Sequence, residues 1–571
     1  MISRRPGARF NRGRIAEVGS SLSVPALISP RTGDTFYNGS TVYLAATAGA
    51  TATGVEFYTG NTKIGDATKN GNVWYYIWTG VAAAAHTLKA RATYPSGTQD
   101  SATVSATMNA ATGFSMPATV KAYWQTSDNT NVVSAGGLVS AVHDKMGIQG
   151  DAAQAGAGLQ PLIAWCRGQQ GLFFGNQSQQ RLVATLAATI NQTWWKFVFF
   201  RPCKESASTG TVMVGGTGGL LSYGGNGAYP EKFKVNANTD LPDTSFFTAY
   251  TEPHLITARA DANGELHRDG TLRVGPQTTG SRTITTPESI GASSTGTTAV
   301  TGFIGDPIIG QGMSGTDVTN VENELKARYD VGASGAPAKT IFCFGDSLTD
   351  GTNDSGVTGG GWPNRISRGY SGRGKAAGRW ADRIGPLPSS NPVDPDDQHY
   401  GNSGKGISFM RTNLPGLLGA GHTYNPNIIM GWIGAGNLRE IAPETYVAGT
   451  GPGTTAQAYI DMWVTDVFGA LPNATGIVTT LVDSNPAFGT GPNDYWTRLR
   501  TWNALLVSTI WPAIEAATGK TLIKLDCFTA LGLWDTTVYA GDQFHPGPIG
   551  QATLADYIWW NGFVPALAVA V

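Results

Sequence analysis

The chain has 571 residues, of which 14% are charged and 10% aromatic, with 76 glycines and a formal net charge of −1. That length exceeds a single core and predicts about three domains. The balanced charge gives no global argument for nucleic acid or an anionic membrane as partner, and no window is long and apolar enough to insert into a bilayer.

Residues 1–22, opening "MISRRPGARFNRGRIAEVG", are Arg-rich but lack the apolar stretch of a secretory signal. They are expected to be a solvated tail or an arm that docks onto a larger assembly. Over 23–112 the sequence alternates with period two. "STVYLAATA", "VEFYTG", "NVWYYIWTGV", "HTLKARATY" and "ATVSATM" are separated by turn residues. This predicts an immunoglobulin-like β-sandwich, and the same segments resemble the bacterial Ig-like modules found beside surface enzymes.

A second β-rich region follows over 113–331. Its strand candidates include "LFFG", "WWKFVFFRP", "HLITARAD", "LHRDGTLRVG" and "FIGDPIIG". It closes on "DVTNVENELKARYDV", where Val318, Val321, Leu325 and Tyr329 fall on one helical face. "AYWQTSDNTNVVSAGGLVSAVHDKMG", "FVFFRP" and "GFIGDPIIG" together resemble a concanavalin-like or laminin-G-like jelly roll. Trp194 and Trp195 are candidates for a sugar platform, although adjacent strand residues face opposite sides, so at least one belongs to the core. His143, Asp144, His254 and His267 show no metal-ligand spacing and are expected to be satisfied structural groups. The four cysteines, Cys166, Cys203, Cys343 and Cys527, form no CxxC pair. No metal or cofactor is expected, and Cys343 and Cys527 sit in apolar runs as small hydrophobes. Residues 332–339 read as a small-residue linker.

From 340 to 571 the character changes. Apolar strands such as "TIFCFGDS", "NIIMGWIG", "TGIVTTLVDS" and "TLIKLDCF" alternate with helical patterns such as "AQAYIDMWVTDVFGAL" and "GQATLADYIWW". This predicts a three-layer α/β fold on a parallel sheet, with its active site at the C-terminal strand ends. Five features collect at those ends: Ser347 in "GDSL", Gly404 in "GNSGKG", Asn437 in "WIGAGNL", and Asp542 with His545 in "DQFHPGPIG". A serine hydroxyl needs an imidazole to take its proton. The imidazole needs a carboxylate on its other nitrogen, and a tetrahedral oxyanion needs hydrogen-bond donors from several directions.

The order Ser, Gly, Asn, Asp-x-x-His on such a domain resembles the SGNH (GDSL-type) hydrolases. By that likeness Ser347 is the nucleophile, His545 the general base and Asp542 its orienter. The oxyanion hole is made by the Ser347 and Gly404 N–H groups and the Asn437 amide. One departure is that the third block reads "GAGNL" where the family has Gly-x-Asn-Asp, so Asn437 is assigned as the only Asn at that strand end.

The Gly-rich loop 350–378 carries Trp362, Arg365 and Tyr370 and is read either as a wall for a sugar chain or as a surface loop. Two β modules beside an esterase suggest an enzyme held at a glycan surface. The expected partner is an acylated bacterial surface polysaccharide. The modular arrangement resembles phage tail-fibre or tailspike proteins, which implies a virion location, contacts with other virion proteins through the N-terminal arm, and a homotrimer. The alternatives are a secreted bacterial carbohydrate esterase, or an adhesive virion protein with a vestigial hydrolase domain. A fragment from about 338 onward is expected to fold alone.

Overall fold

The computed structural model describes residues 23–37, 39–110, 114–174, 179–190, 193–202, 210–215, 219–223, 233–235, 240–241, 253–260, 264–277, 283–284, 286–293, 295, 299–331, 339–351, 361–384, 399–403, 405–420, 424–435, 438, 453–485, 495–540, 542 and 544–569. The N-terminal arm, residues 332–338 of the expected linker, Cys203, Gly404 and Asn437 lie outside them. Among the described residues no helix is long and apolar enough to cross a membrane.

Two all-β units precede a parallel α/β unit, the multidomain class expected from the alternation of patterns. In the first unit, one sheet contains Ala26–Ser29, Thr41–Thr47, Val73–Trp78 and Thr68–Asn70. The facing sheet is built on Ala84–Tyr94, flanked by Val104–Met108 and Gly54–Thr59. Strand alternation gives Thr41–Thr47 two different jobs. Leu44 and Ala46 enter the sandwich core with Phe57, Trp74 and Leu88, whereas Tyr43 and Ala45 on the opposite face join the core of the α/β unit.

The second unit is one antiparallel system that closes on itself. Its long central strands, Trp194–Pro202 and Gly302–Gln311, pair antiparallel, and every residue of Trp194–Pro202 is buried. Trp194 and Trp195 are both core residues, so neither offers a platform to a sugar. The helix Gly315–Arg328 starts at a reciprocal cap between Ser314 and Asp317. Its Val318, Val321 and Leu325, with Tyr329 at its end, pack on the outer face of the sheet, and Tyr329 stacks on Phe199 at 4.0 Å. His143 pairs with Asp151, His254 with Asp269 and His267 with Glu322. The Asp144 carboxylate accepts from the N–H groups of Tyr123, Met146, Ile148 and Gln149. Each of these four sequence candidates is thus held by at least one hydrogen bond.

The third unit is a parallel sheet in the order Ala381–Ile384, Lys339–Gly345, Ile428–Trp432, Thr475–Thr479, Ile523–Leu525. Numbered along the chain, that order is 2-1-3-4-5. Successive connections leave the first strand in opposite directions, so a crevice opens beyond its carboxyl end. Residue 345 ends this strand, and only glycine fits there: a Cβ would lie 2.1 Å from the Trp432 carbonyl oxygen.

The units share buried surface. Tyr43 packs edge-on to Trp559 and Trp560, and Tyr75 stacks on Trp560 at 3.9 Å. Gly374–Lys375 adds parallel to Thr41–Val42. Asp330, in the second unit, accepts from Trp380 Nε1 at 2.6 Å and pairs with Lys375, both in the third. Burial and the Asp330 carboxylate push the nearby Tyr37 hydroxyl, in the first unit, up to about 12. The expectation of a self-sufficient fragment from 338 onward meets this common core, since Tyr43, Ala45 and Val73 are part of the α/β unit's interior.

Candidate active site

The apolar strand Lys339–Gly345 delivers the chain to the crevice, where Asp346 caps a single helical turn, Ser347–Asp350. Gly351 ends that turn at φ 70° and donates its N–H to the Ser347 carbonyl. Ser347 is thus clamped on both sides and remains 7% exposed. Its own N–H stands at the first helical position, where no intrahelical acceptor exists.

Asp542 and His545 arrive from the far edge of the sheet. Three strand spacings, about 14 Å, separate the last strand from the first, and the segment after Ile523–Leu525 crosses them. It is held as a tight loop: Ala540 N–H donates to the His545 carbonyl at 2.7 Å, and Gly547 N–H donates to the Val538 carbonyl at 2.9 Å. Pro548 then starts the helix Pro548–Ile558 at a position where its missing N–H costs nothing.

The result is a continuous hydrogen-bonded line. His545 Nε2 lies 2.8 Å from Ser347 Oγ, and His545 Nδ1 lies 2.5 Å from Asp542 Oδ2. Asp542 Oδ1 accepts from the Phe544 and His545 N–H groups, each at 3.0 Å. Burial pushes the Asp542 carboxyl up, but the imidazole and these two N–H groups outweigh it and hold the carboxyl well below its ordinary range. An ionised carboxylate on Nδ1 fixes the proton there and leaves Nε2 with a lone pair for the serine hydroxyl.

Three groups in this neighbourhood were not singled out from the sequence. Phe544 stands edge-on to the His545 ring at 4.6 Å and against Tyr495 at 5.0 Å, which limits the ring's rotation. Gln551, fully buried on the helix after the loop, accepts from the Trp362 N–H at 2.9 Å. The Tyr495–Phe544 and Trp362–Gln551 contacts join residues far apart in the chain, and no local spacing announces them.

Gly404 and Asn437 lie outside the described residues, but the segments leading to both end at the serine. Tyr400–Gly401 pairs with Phe344–Gly345, Asn402 N–H donates to the Gly345 carbonyl at 3.0 Å, and Ile428–Trp432 runs parallel beside the serine strand.

The proposed sugar wall is corrected. Trp362 is fully buried, 5.9 Å from Trp432, with no face toward solvent. Tyr370 donates its hydroxyl to Asp556 at 2.6 Å and stacks on Trp559 at 5.8 Å, and its carbonyl accepts from the Tyr43 hydroxyl, so it belongs to the contact with the first β unit. Arg365 is half-buried in the last turn of Gly361–Ile366. Among the described residues of this segment the chain runs between units instead of over the surface.

No family model matches the chain, and no curated protein matches it. Among solved structures it is similar to the fibronectin(III)-like modules of Clostridium thermocellum CbhA, with 28% identity over 15% of this chain and 96% of that one, TM-score 0.14. It is also similar to domain 4 of AbnA, an extracellular arabinanase of Geobacillus stearothermophilus, with 12% identity over 36% and 98%, TM-score 0.28. A peptidoglycan O-acetylesterase aligns with 10% identity over 71% of this chain and 73% of its own, TM-score 0.24. Similarities at these TM-scores leave the chemistry to be read from the site itself.

Proposed function

We propose that the chain is a serine ester hydrolase of the SGNH type that removes acyl groups from carbohydrate. The observation that carries the reading is the line Ser347 Oγ, His545 Nε2, His545 Nδ1, Asp542 Oδ2, with its two short links of 2.8 and 2.5 Å. It is assembled at the switch-point crevice from segments 198 positions apart.

In this reading Ser347 Oγ attacks the acyl carbonyl carbon while His545 Nε2 takes its proton, and Asp542 stabilises the imidazolium. The negative oxygen of the tetrahedral intermediate is met by the Ser347 N–H, with Gly404 N–H and the Asn437 amide as further proposed donors. The imidazolium returns the proton to the departing alcohol oxygen. A water then attacks the acyl-serine with the same base, releasing the carboxylic acid.

The carbohydrate part of the proposal is motivated by the two β-sandwich units packed on the α/β unit. A virion location, with an acylated surface polysaccharide as partner, extends it and rests on the modular sequence alone. The deciding experiment is hydrolysis of p-nitrophenyl acetate by the full chain and by Ser347→Ala. Activity in the first and none in the second is expected; equal rates would end the esterase reading. Acetate release from purified surface polysaccharide tests the substrate class, and mass spectrometry of purified virions tests the location.

A further inference from the structure

Asp346, immediately before the serine, is fully buried, and its carboxylate reaches both its own turn and the end of the neighbouring strand. Oδ1 accepts from the Leu348 N–H at 3.1 Å. Oδ2 accepts from the Gly434 N–H at 3.1 Å and the Ala435 N–H at 2.9 Å. The Asp346 N–H donates to the Trp432 carbonyl at 3.3 Å, and its carbonyl accepts from Asp350 at 2.9 Å. One oxygen therefore holds the turn that carries Ser347. The other holds the loop that leaves Ile428–Trp432 toward Asn437.

We propose that Asp346 is a positioning residue that fixes the serine turn and the end of the neighbouring strand relative to each other, and so sets the geometry in which the oxyanion is met. The inference rests on the esterase reading. Two consequences are built in. The Gly434 and Ala435 N–H groups face the carboxylate and are not the oxyanion donors. The link also needs an acceptor on both sides at once, which a carboxylate supplies and a carboxamide does not. In Asp346→Asn, one side would face an NH2 group set against N–H donors.

The shape of the loss separates positioning from folding. Active serines are first counted in the full-length protein by the p-nitrophenolate released from a p-nitrophenyl phosphonate. Per titrated site, Asp346→Asn should lose about 10²-fold in kcat, with KM for p-nitrophenyl acetate within about threefold of wild type. Phenylboronic acid, which forms a tetrahedral adduct on Ser347 Oγ, should bind more weakly by a factor similar to the kcat loss, because both report the same geometry. Ala435→Pro keeps the carboxylate but removes one of its donors, and should show the same pattern at smaller amplitude.

Unchanged kcat and boronate affinity per site, with fewer active sites, would overturn the proposal and make Asp346 a residue of the fold alone. Failure of both variants to fold would do the same. A wild-type chain that neither hydrolyses the ester nor reacts with the phosphonate would instead overturn the esterase reading itself.

Discussion

Within the line of Ser347, His545 and Asp542, each group depends on its neighbour: the hydroxyl is a weak nucleophile without the imidazole, and the imidazole drifts between tautomers without the carboxylate. Ser347→Ala and His545→Ala should therefore each abolish ester hydrolysis, and the double variant should be barely worse than either single one. Additive losses in kcat/KM would show that the two do not act together. Asp542 also links the site to stability. Its folded carboxyl lies below the unfolded value, so protonation favours the unfolded chain. The stabilisation is complete above an unfolded value of about 4 and fades as pH falls toward the folded value. Asp542→Asn should lower Tm at pH 7 and have a smaller effect at pH 3; an equal drop at both would show that the ionised form adds nothing. The three residues of the line could be picked out in the sequence because Ser347 sits in a short motif at a strand end and Asp542 and His545 share one just before a helix. Asp346 was equally visible in "GDSL", but its partners Gly434 and Ala435 are 88 and 89 positions away, and that link exists only once the sheet is formed.

Strands and helices differ in how openly their patterns speak. Trp194–Pro202 and Gly302–Gln311 are mostly apolar on both sides of the pleat because both faces are covered, and the helix Gly315–Arg328 shows its buried stripe and its Ser314–Asp317 cap directly. The segment from Gly361 to Trp380 misleads for a physical reason. Its glycines suggest a free loop, yet a Cβ at Gly372 would lie 1.9 Å from the Trp165 carbonyl oxygen, so close approach to a neighbouring unit is what demands glycine there. The fully buried strand Trp194–Pro202 also carries Lys196, whose Nζ meets Glu288 Oε1 at 2.5 Å with neither side chain exposed. Burial pushes the ammonium down and the carboxyl up, both toward the neutral forms. Lys196→Met or Glu288→Leu alone should cost about 3–5 kcal/mol, whereas the double variant should be close to wild type or above it. Chemical denaturation of the three proteins checks this. Equal single and double losses would mean that the pair is an integral support of the sandwich.

Across the whole chain, the boundary expected near 332–339 separates two patterns of sequence but not two interiors. Tyr43 donates its hydroxyl to the Tyr370 carbonyl at 2.9 Å and wedges against Trp559 and Trp560, and Asp330 meets Lys375 and Trp380 where the three units converge. A fragment from Lys339 to Val571 would expose those two tryptophans. It should be less stable than the full chain and prone to association, as scanning calorimetry and light scattering would show. A monomeric fragment with the full-length Tm would demonstrate an independent core. In the full chain, Tyr43→Ala should cost about 3 kcal/mol through loss of contacts outside its own sandwich.

The face of Thr41–Thr47 that supplies Tyr43 and Ala45 also constrains how such a chain can diversify. A bead-like module can be exchanged by recombination in the connecting segment, because each neighbour keeps its own wall. Here the α/β unit borrows a wall from a strand some 300 positions upstream, so a crossover within 332–338 would graft that unit onto a sandwich lacking Tyr43 and leave Trp559 and Trp560 uncovered. The β-sandwich at the start and the α/β unit at the end must be inherited together, although the residues that bind them lie in the two parts of the chain most distant in sequence.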